Sequence, residues 1–471
     1  MIRRKILLLL CILPVLFGSQ SACSEKLKAD ATHPLTGAWL LHVNSTDIGA
    51  VRTVMTIQAG ENAFEGHTRG NADKSLIGLP KAMLGRVFTG FFEHGALLHF
   101  EDGVYKKLSE NEFKVAARFT SASGKLLFQG TLKGNLLEGH LTNGKKEDKG
   151  SITGTKGNYK LPLQDNYREI AEQALALTKT KIFNTSLVQT KDWKAFEKSV
   201  LELSEKVQDD AEMVFGFYYY AGKLPFSHFA LYRKTNNPED LPEDTAKAQF
   251  LDLKEVNPAT TLLTIRSFAG NGTQLDSVFT LIKKTAKPNL IIDLRGNSGG
   301  NISGLKLVTN LADKAYPGGV FLTNKWFTKH PNPPVENEVQ QFTTLTEANL
   351  ELLWDGVHNL DGLAIRVIPE KTVYQGKVFV LVDNATASTC ESIVYGLKHY
   401  KLATIVGEKT AGAMLNGEAF SLNDQWHITI PTADYYTPDG KRLDQIGVEP
   451  DKKVSSKDAL NYVLKNLVKP G

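Results

Sequence analysis

Between residues 248 and 465, short apolar runs alternate with stretches of helical periodicity, and this alternation limits the fold more than any other feature. Residues 261–265, 290–294, 378–382 and 403–406 read as strands, and residues 276–285, 304–311 and 389–400 as helices. Residues 290–294 (Leu-Ile-Ile-Asp-Leu) lack the polar-apolar alternation of a half-exposed strand. Such a strand needs cover on both faces, and successive parallel strands need long crossovers, which the helices supply. The reading is an α/β core built on a largely parallel sheet.

Two strand-to-helix junctions in this core carry chemistry. The first is Asp293-Leu294-Arg295-Gly296-Asn297-Ser298-Gly299-Gly300. Glycines just past a parallel strand let backbone N–H groups face the crevice at the carboxyl edge of the sheet, where an anion or oxyanion binds. The spacing fits neither the dinucleotide fingerprint nor the phosphate loop, and alone it reads equally as a tight turn. The second is Asn384-Ala385-Thr386-Ala387-Ser388-Thr389-Cys390-Glu391. A serine there projects from a sharp turn, with the next N–H near any oxyanion it generates. Taken alone, this stretch favours a helix cap, Ser388 with Glu391 in a capping box.

Taken together, and followed by Val406-Gly407-Glu408-Lys409-Thr410-Ala411-Gly412 and Gly447-Val448-Glu449-Pro450-Asp451, the junctions resemble the C-terminal-processing and tricorn-core serine peptidases, the tail-specific protease superfamily. The resemblance covers about residues 210–455. It implies an α/β core of the Clp-protease/crotonase spiral type, Ser388 as nucleophile, and an oxyanion hole from Gly299, Gly300 and Thr389. The processing enzymes take their base from a lysine just after the last glycine motif, where this chain has Ala413. Lys409 holds a different motif position and reads as an exposed loop lysine. The tricorn-type branch uses a histidine preceded by serine, matched by Ser227-His228, and an acid matched by Asp444, where glutamate is usual. The resemblance thus implies a catalytic group of Ser388, His228, Ser227 and Asp444, with the reach of the shorter Asp444 left open. Only about 34 residues separate His228 from Leu262, too few for a PDZ domain.

The other histidines lack such support. His399 lies eleven residues past Ser388 on one helix, roughly 16 Å away at ~1.5 Å per residue. His67 sits too early in the chain, and His330, His358 and His427 read as surface or packing residues. No pair has zinc-ligand spacing with a third ligand, so neither metal nor cofactor is implied. Cys390 reads as a small buried hydrophobe.

Residues 34–157 read as an all-β domain, a small barrel or sandwich, in which Phe64-Glu65-Gly66-His67 is echoed by Leu137-Glu138-Gly139-His140. Residues 164–247 read as a helical cap carrying the base histidine. The stretch 316–372, with Trp326 and Trp354, reads as a lid or a plain surface excursion.

At the N-terminus, Arg3-Arg4-Lys5, an apolar run to Phe17 and small residues up to Ala22 form a signal peptide, residues 1–22. Its removal takes the net charge from +4 to +1, which argues against a nucleic-acid or anionic-membrane partner. Cys23 raises a lipid anchor as the alternative to plain cleavage, although Gln20 stands where such sites carry an aliphatic residue. No other segment reads as membrane-spanning, so localisation is exported: periplasmic, lipoprotein or secreted. The oligomeric state is not legible. The expected function is peptide-bond cleavage, acting on a peptide or protein substrate. Two alternatives stay open: an inactive binding protein on the same fold, and a hydrolase of a non-peptide ester.

Overall fold

The computed structural model describes residues 27–45, 49–69, 97–121, 124–144, 146–163, 166–234, 250–269 and 272–468; the expected signal peptide and Cys23 lie outside them. Among the described residues, β1 (Gly37–Ser45), β2 (Gly49–Ala59), β3 (Ala63–Thr68), β4 (His99–Ser109), β5 (Glu112–Ser121), β6 (Gly124–Lys133), β7 (Leu136–Thr142) and β8 (Asp148–Lys156) run as an antiparallel meander. β1 pairs with both β2 and β8, which closes a barrel rather than a sandwich. Inward residues alternate along β1, β2 and β8, as the two-residue period requires. Trp39, Leu41 and Val43 of β1 meet Met55, Ile57, Phe100, Phe119 and Phe128 in one apolar core.

Three helices follow: α1 (Tyr167–Lys181), α2 (Lys191–Ser204) and α3 (Asp210–Ala221). Asn166, Thr190 and Asp209 cap them, accepting from the backbone N–H of Glu169, Trp193 and Glu212. Buried residues on α1 fall at Tyr167, Ile170, Ala171, Ala174, Leu175 and Thr178, the three-four spacing of one helical face. Past α3, the buried Leu224, Phe226, Phe229 and Leu231 carry the chain into β9 (Ala230–Arg233).

The core holds two sheets. One contains β10 (Leu251–Asn257), β11 (Thr260–Ile265) and β12 (Asn289–Asp293). The chain then leaves it for β13 (Tyr316–Thr323), β14 (Thr343–Leu345) and β15 (Gly362–Val367), and returns as β16 (Lys377–Val382) and β17 (Thr404–Gly407). After β18 (Leu415–Ser421) and β19 (Trp426–Tyr436), the short β20 (Lys452–Lys453) completes the first sheet in the order β10-β11-β12-β16-β17-β20. Only the β10–β11 pair is antiparallel. Leu290 and Ile292 face α4 (Gly272–Thr285), α5 (Leu305–Thr309) and the helix after Ser388, whereas Ile291, Phe379, Leu381 and Val406 face Ala459, Val463 and Val468. Both faces are covered, as the unbroken apolar runs require.

The second sheet departs from the sequence reading. Within residues 316–372, both ends are sheet strands: β13 and β15 pair with each other, and β13 pairs with β19. Pro317, Gly318 and Gly319 punctuate this stretch and mask its strand character, while Val320, Phe321 and Leu322 are buried sheet residues. β9 joins β19, so the chain around His228 is built into this sheet.

Candidate active site

The first junction folds on its own polar side chains. Arg295 turns back on Asp293, with Nε 2.8 Å from Oδ1. Asn297 is fully buried; its Nδ2 donates to the Ile265 carbonyl and its Oδ1 accepts from Gly299 N–H at 2.9 Å. The Asn297 carbonyl accepts from Ala387 N–H at 3.1 Å, and Thr386 Oγ1 donates to Leu294 O at 3.0 Å. These bonds zip the two motif loops together at the carboxyl ends of β12 and β16. Ligands of open α/β sheets bind at such edges.

Ser388 stands at the start of α6 (Thr389–His399) with φ +56° and ψ −128°. Non-glycine residues rarely occupy that region, at a cost of about 1–3 kcal/mol, and a strained strand-to-helix turn exposes a nucleophile. The buried Glu391 carboxylate holds the turn: it accepts from Ser388 N–H at 3.2 Å, Thr410 Oγ1 at 2.5 Å, Gly412 N–H at 2.8 Å and Ala413 N–H at 2.7 Å. Burial pushes the Glu391 pKa above its usual value against the pull of those donors. The capping contact that local sequence favoured thus exists, but it belongs to a hub joining the elbow to residues 410–413.

The glycine pair lies against this serine. A Cβ on Gly299, φ +105°, would come within 2.6 Å of Ser388 Cβ and 3.2 Å of its Oγ. The Gly299 N–H donates to Asn297 Oδ1 at 2.9 Å, and its neighbour Gly300 has no N–H partner among the described residues. Thr389 is the first residue of α6, where backbone N–H groups lack intrahelical partners.

His228 sits between the buried Phe226 and Phe229; Phe229 packs with Phe226, Trp193, Phe196 and Phe217. It too holds φ +56°. Burial of the two phenylalanines, worth about 1.5–3 kcal/mol each, exceeds the strain of about 1–3 kcal/mol at the residue between them. Ser227 Oγ lies 2.8 Å from His228 Nδ1 and donates to Asp444 Oδ1 at 2.5 Å. The fully buried Asp444 also accepts from Ser227 N–H at 3.1 Å, Met414 N–H at 3.0 Å and Arg442 Nη2 at 3.2 Å. The shorter carboxylate thus reaches the imidazole by way of Ser227. Burial lowers the His228 pKa below 6.5, and the Asp444 charge works against that shift.

Residues 410–414 connect the two halves: Ser388 N–H donates to Ala413 O at 2.9 Å, and the adjacent Met414 N–H reaches Asp444. No hydrogen bond joins the His228 ring to the Ser388 hydroxyl in this structure. Lys409 pairs with Glu449 at 3.6 Å in an exposed loop. His399 packs on Tyr395 and Tyr400, His67 lies in the barrel, His330 stacks on Trp326, His358 binds Glu418 and His427 stacks on Tyr232. Cys390 is buried, and burial raises its thiol pKa far above the usual range. Sequence reasoning passed over the joining roles of Asn297, Glu391 and Arg442. The motifs contain the first two, but their contacts are made with loops distant in sequence.

Residues 259–454 match the model of Peptidase family S41. The chain is 23% identical over 254 residues to the nisin-resistance protein of Lactococcus lactis subsp. lactis, covering 52% of this chain and 70% of that one. It is 39% identical over 75 residues to a carboxyl-terminal-processing protease of Synechocystis sp., a stretch that spans 16% of this chain and 18% of the relative. Among solved structures, a lipoprotein from Streptococcus agalactiae superposes with a TM-score of 0.43 at 14% identity, covering 66% of this chain and all of that one (100%). The chain therefore carries a peptidase family S41 domain over residues 259–454, a domain of serine-type peptidases.

Proposed function

We propose that this chain is an exported serine peptidase in which Ser388 attacks the scissile carbonyl and His228 takes its proton. The observation that carries the reading is the hydrogen-bonded series Asp444–Ser227–His228, tied through Met414 and Ala413 to the strained elbow of Ser388. Ser227 and Asp444 orient the ring so that Nε2 is left to face the nucleophile. The oxyanion formed on attack takes the N–H groups of Gly300 and Thr389. The imidazolium then protonates the leaving amine, and water repeats the sequence on the acyl-enzyme. Catalytic hydrogen bonds are often long in unliganded enzymes, so the open gap between His228 and Ser388 calls for tightening on substrate binding.

A narrow apolar cleft opens beside Thr389, lined by Ile302, Leu305, Ile365, Ile393 and Tyr400, with Gly396 on its wall. Its position suits an apolar side chain next to the scissile bond. We assign the core to the Clp-protease/crotonase spiral type, residues 248–465, preceded by the β domain 34–157 and the cap 164–247. A cleaved signal, residues 1–22, delivers the chain to an extracytoplasmic site, as a lipoprotein anchored at Cys23 or as a free protein. Among the described residues no helix is long and apolar enough to cross a membrane.

The missing His228–Ser388 hydrogen bond also fits a second reading, a binding protein without turnover. Fluorophosphonate labelling separates the two. The peptidase reading expects wild-type labelling, with Ser388→Ala and His228→Ala each lowering hydrolysis of apolar-containing peptides by about 10⁴-fold or more. Wild-type protein that neither labels nor cleaves would leave the binding reading.

A further inference from the structure

Behind Asp444 lies a second buried carboxylate that the proposed mechanism does not use. After β19, the turn at residues 437–441 is closed by Thr437 N–H to Lys441 O at 2.9 Å and Gly440 N–H to Thr437 O at 2.9 Å. It returns the chain so that Arg442 bridges Tyr436, beside the end of the strand. The Arg442 guanidinium then stands between two acids, with Nε donating to Asp434 Oδ2 at 2.7 Å and Nη2 to Asp444 Oδ2 at 3.2 Å. Asp434 is 2% exposed, and its Oδ1 has no hydrogen-bond partner. A buried carboxylate needs pairing, and one guanidinium shared by two leaves each under-compensated. The other donors to Asp444 are neutral: the Ser227 hydroxyl and the N–H groups of Ser227 and Met414.

We infer that Arg442, held at its far side by Asp434, is a positioning residue that fixes the Asp444 carboxylate on Ser227 and tempers that carboxylate's pull on His228. The inference rests on the serine-peptidase reading. The titratable and charged groups acting on one another here are His228, Asp444, Arg442, Asp434 and Tyr436. Asp444 raises the affinity of His228 for a proton, and a cation on the far side of Asp444 offsets part of that effect. Burial pushes Asp434 up to about 6, so below that pH Arg442 turns its full charge toward Asp444.

The test is the rate of Ser388 phosphonylation by a fluorophosphonate across about pH 5 to 9, the range in which histidine titrates. Arg442→Met is expected to lower the plateau by about 10- to 100-fold, as loss of orientation does, and to move the acid inflection to higher pH. Arg442→Lys restores the inflection but not the plateau, because an ammonium cannot fork between two carboxylates. Asp434→Asn moves the inflection to lower pH. Circular dichroism checks folding; if Arg442→Met does not fold, Arg442→Lys and Asp434→Asn carry the comparison. Wild-type plateau and inflection in the folded variants would overturn the inference alone. Wild-type protein that does not label would overturn the peptidase reading, and this inference with it.

Discussion

Ser388 and His228 share a φ of +56°, and each is held there by neighbours of a different kind. Ser388 is fixed by polar contacts centred on Glu391, His228 by aromatic packing on either side. This difference has consequences for mutation. Glu391→Ala removes one acceptor from Thr410 Oγ1, Gly412 N–H and Ala413 N–H, and each buried donor left without a partner costs about 1–3 kcal/mol. A loss of at least ~2 kcal/mol in denaturant unfolding is expected, together with loss of labelling. Gly299→Ala meets the Ser388 side chain directly and forces an alanine to φ +105°. It is expected to abolish labelling while the circular dichroism stays native. The lowered pKa of His228 also has a readable sign. The imidazole is neutral at neutral pH, so the labelling rate is expected to reach its plateau with an inflection below 6.5. The unfolded chain binds this proton more tightly than the folded one, so acidification through that range also costs stability.

Among the elements, helix α6 joins the strained serine turn and the cleft: Ser388 precedes it, while Thr389, Ile393 and Gly396 share its cleft-facing side. A Cβ on Gly396 meets nothing within 4 Å. Gly396→Ala is therefore expected to stabilise the fold by about 0.5–1 kcal/mol in thermal or urea unfolding, because a helix interior disfavours glycine. Gly396→Leu reaches into the cleft and is expected to raise KM for peptides with large apolar side chains more than for those with alanine. Equal effects on both would remove the cleft from the specificity account. The strands and helices of the parallel sheet were legible because period and length agree over residues 290–294, 378–382 and 389–400. Ser388, Ser227, His228 and Asp444 were singled out only by resemblance, since nothing local in the sequence links Ser227 and His228 to Asp444, 217 residues away from Ser227. The second sheet was illegible for a physical reason. β13 is punctuated by proline and glycine and pairs on one side with β19, which lies far along the chain, and on the other with β15. Gly299 has a structural part that its motif position did not reveal: its N–H donates to Asn297 and its missing Cβ makes room for Ser388.

Across the whole molecule, barrel and helical layer meet at a buried charged seam. Arg52 of β2 binds Asp210 at 2.8 Å, Arg69 binds Glu212 at 2.8 Å, and Thr53 Oγ1 donates to Asp209 Oδ2 at 2.6 Å. Burial, followed by the Glu212 charge, pushes Asp209 up to about 7. The folded chain then binds a proton that the unfolded chain releases near 3.8, so this contribution to stability is lost as pH rises through 7. Asp209→Asn is expected to melt higher than wild type at about pH 8, with the gap closing toward acid. Equal melting temperatures at alkaline pH would contradict the assignment. Phe217 of α3 packs on Phe229, the residue after His228, so the helix that starts at this seam touches the segment that carries His228. The central claim, that His228 serves Ser388, is tested most directly by a crystal structure of the phosphonylated protein. The account predicts phosphorus on Ser388 Oγ, a phosphonyl oxygen on the N–H groups of Gly300 and Thr389, and His228 Nε2 within about 2.6–3.2 Å of Ser388 Oγ. An adduct on another residue, or a His228 ring turned away with no other proton acceptor beside the serine, would contradict it.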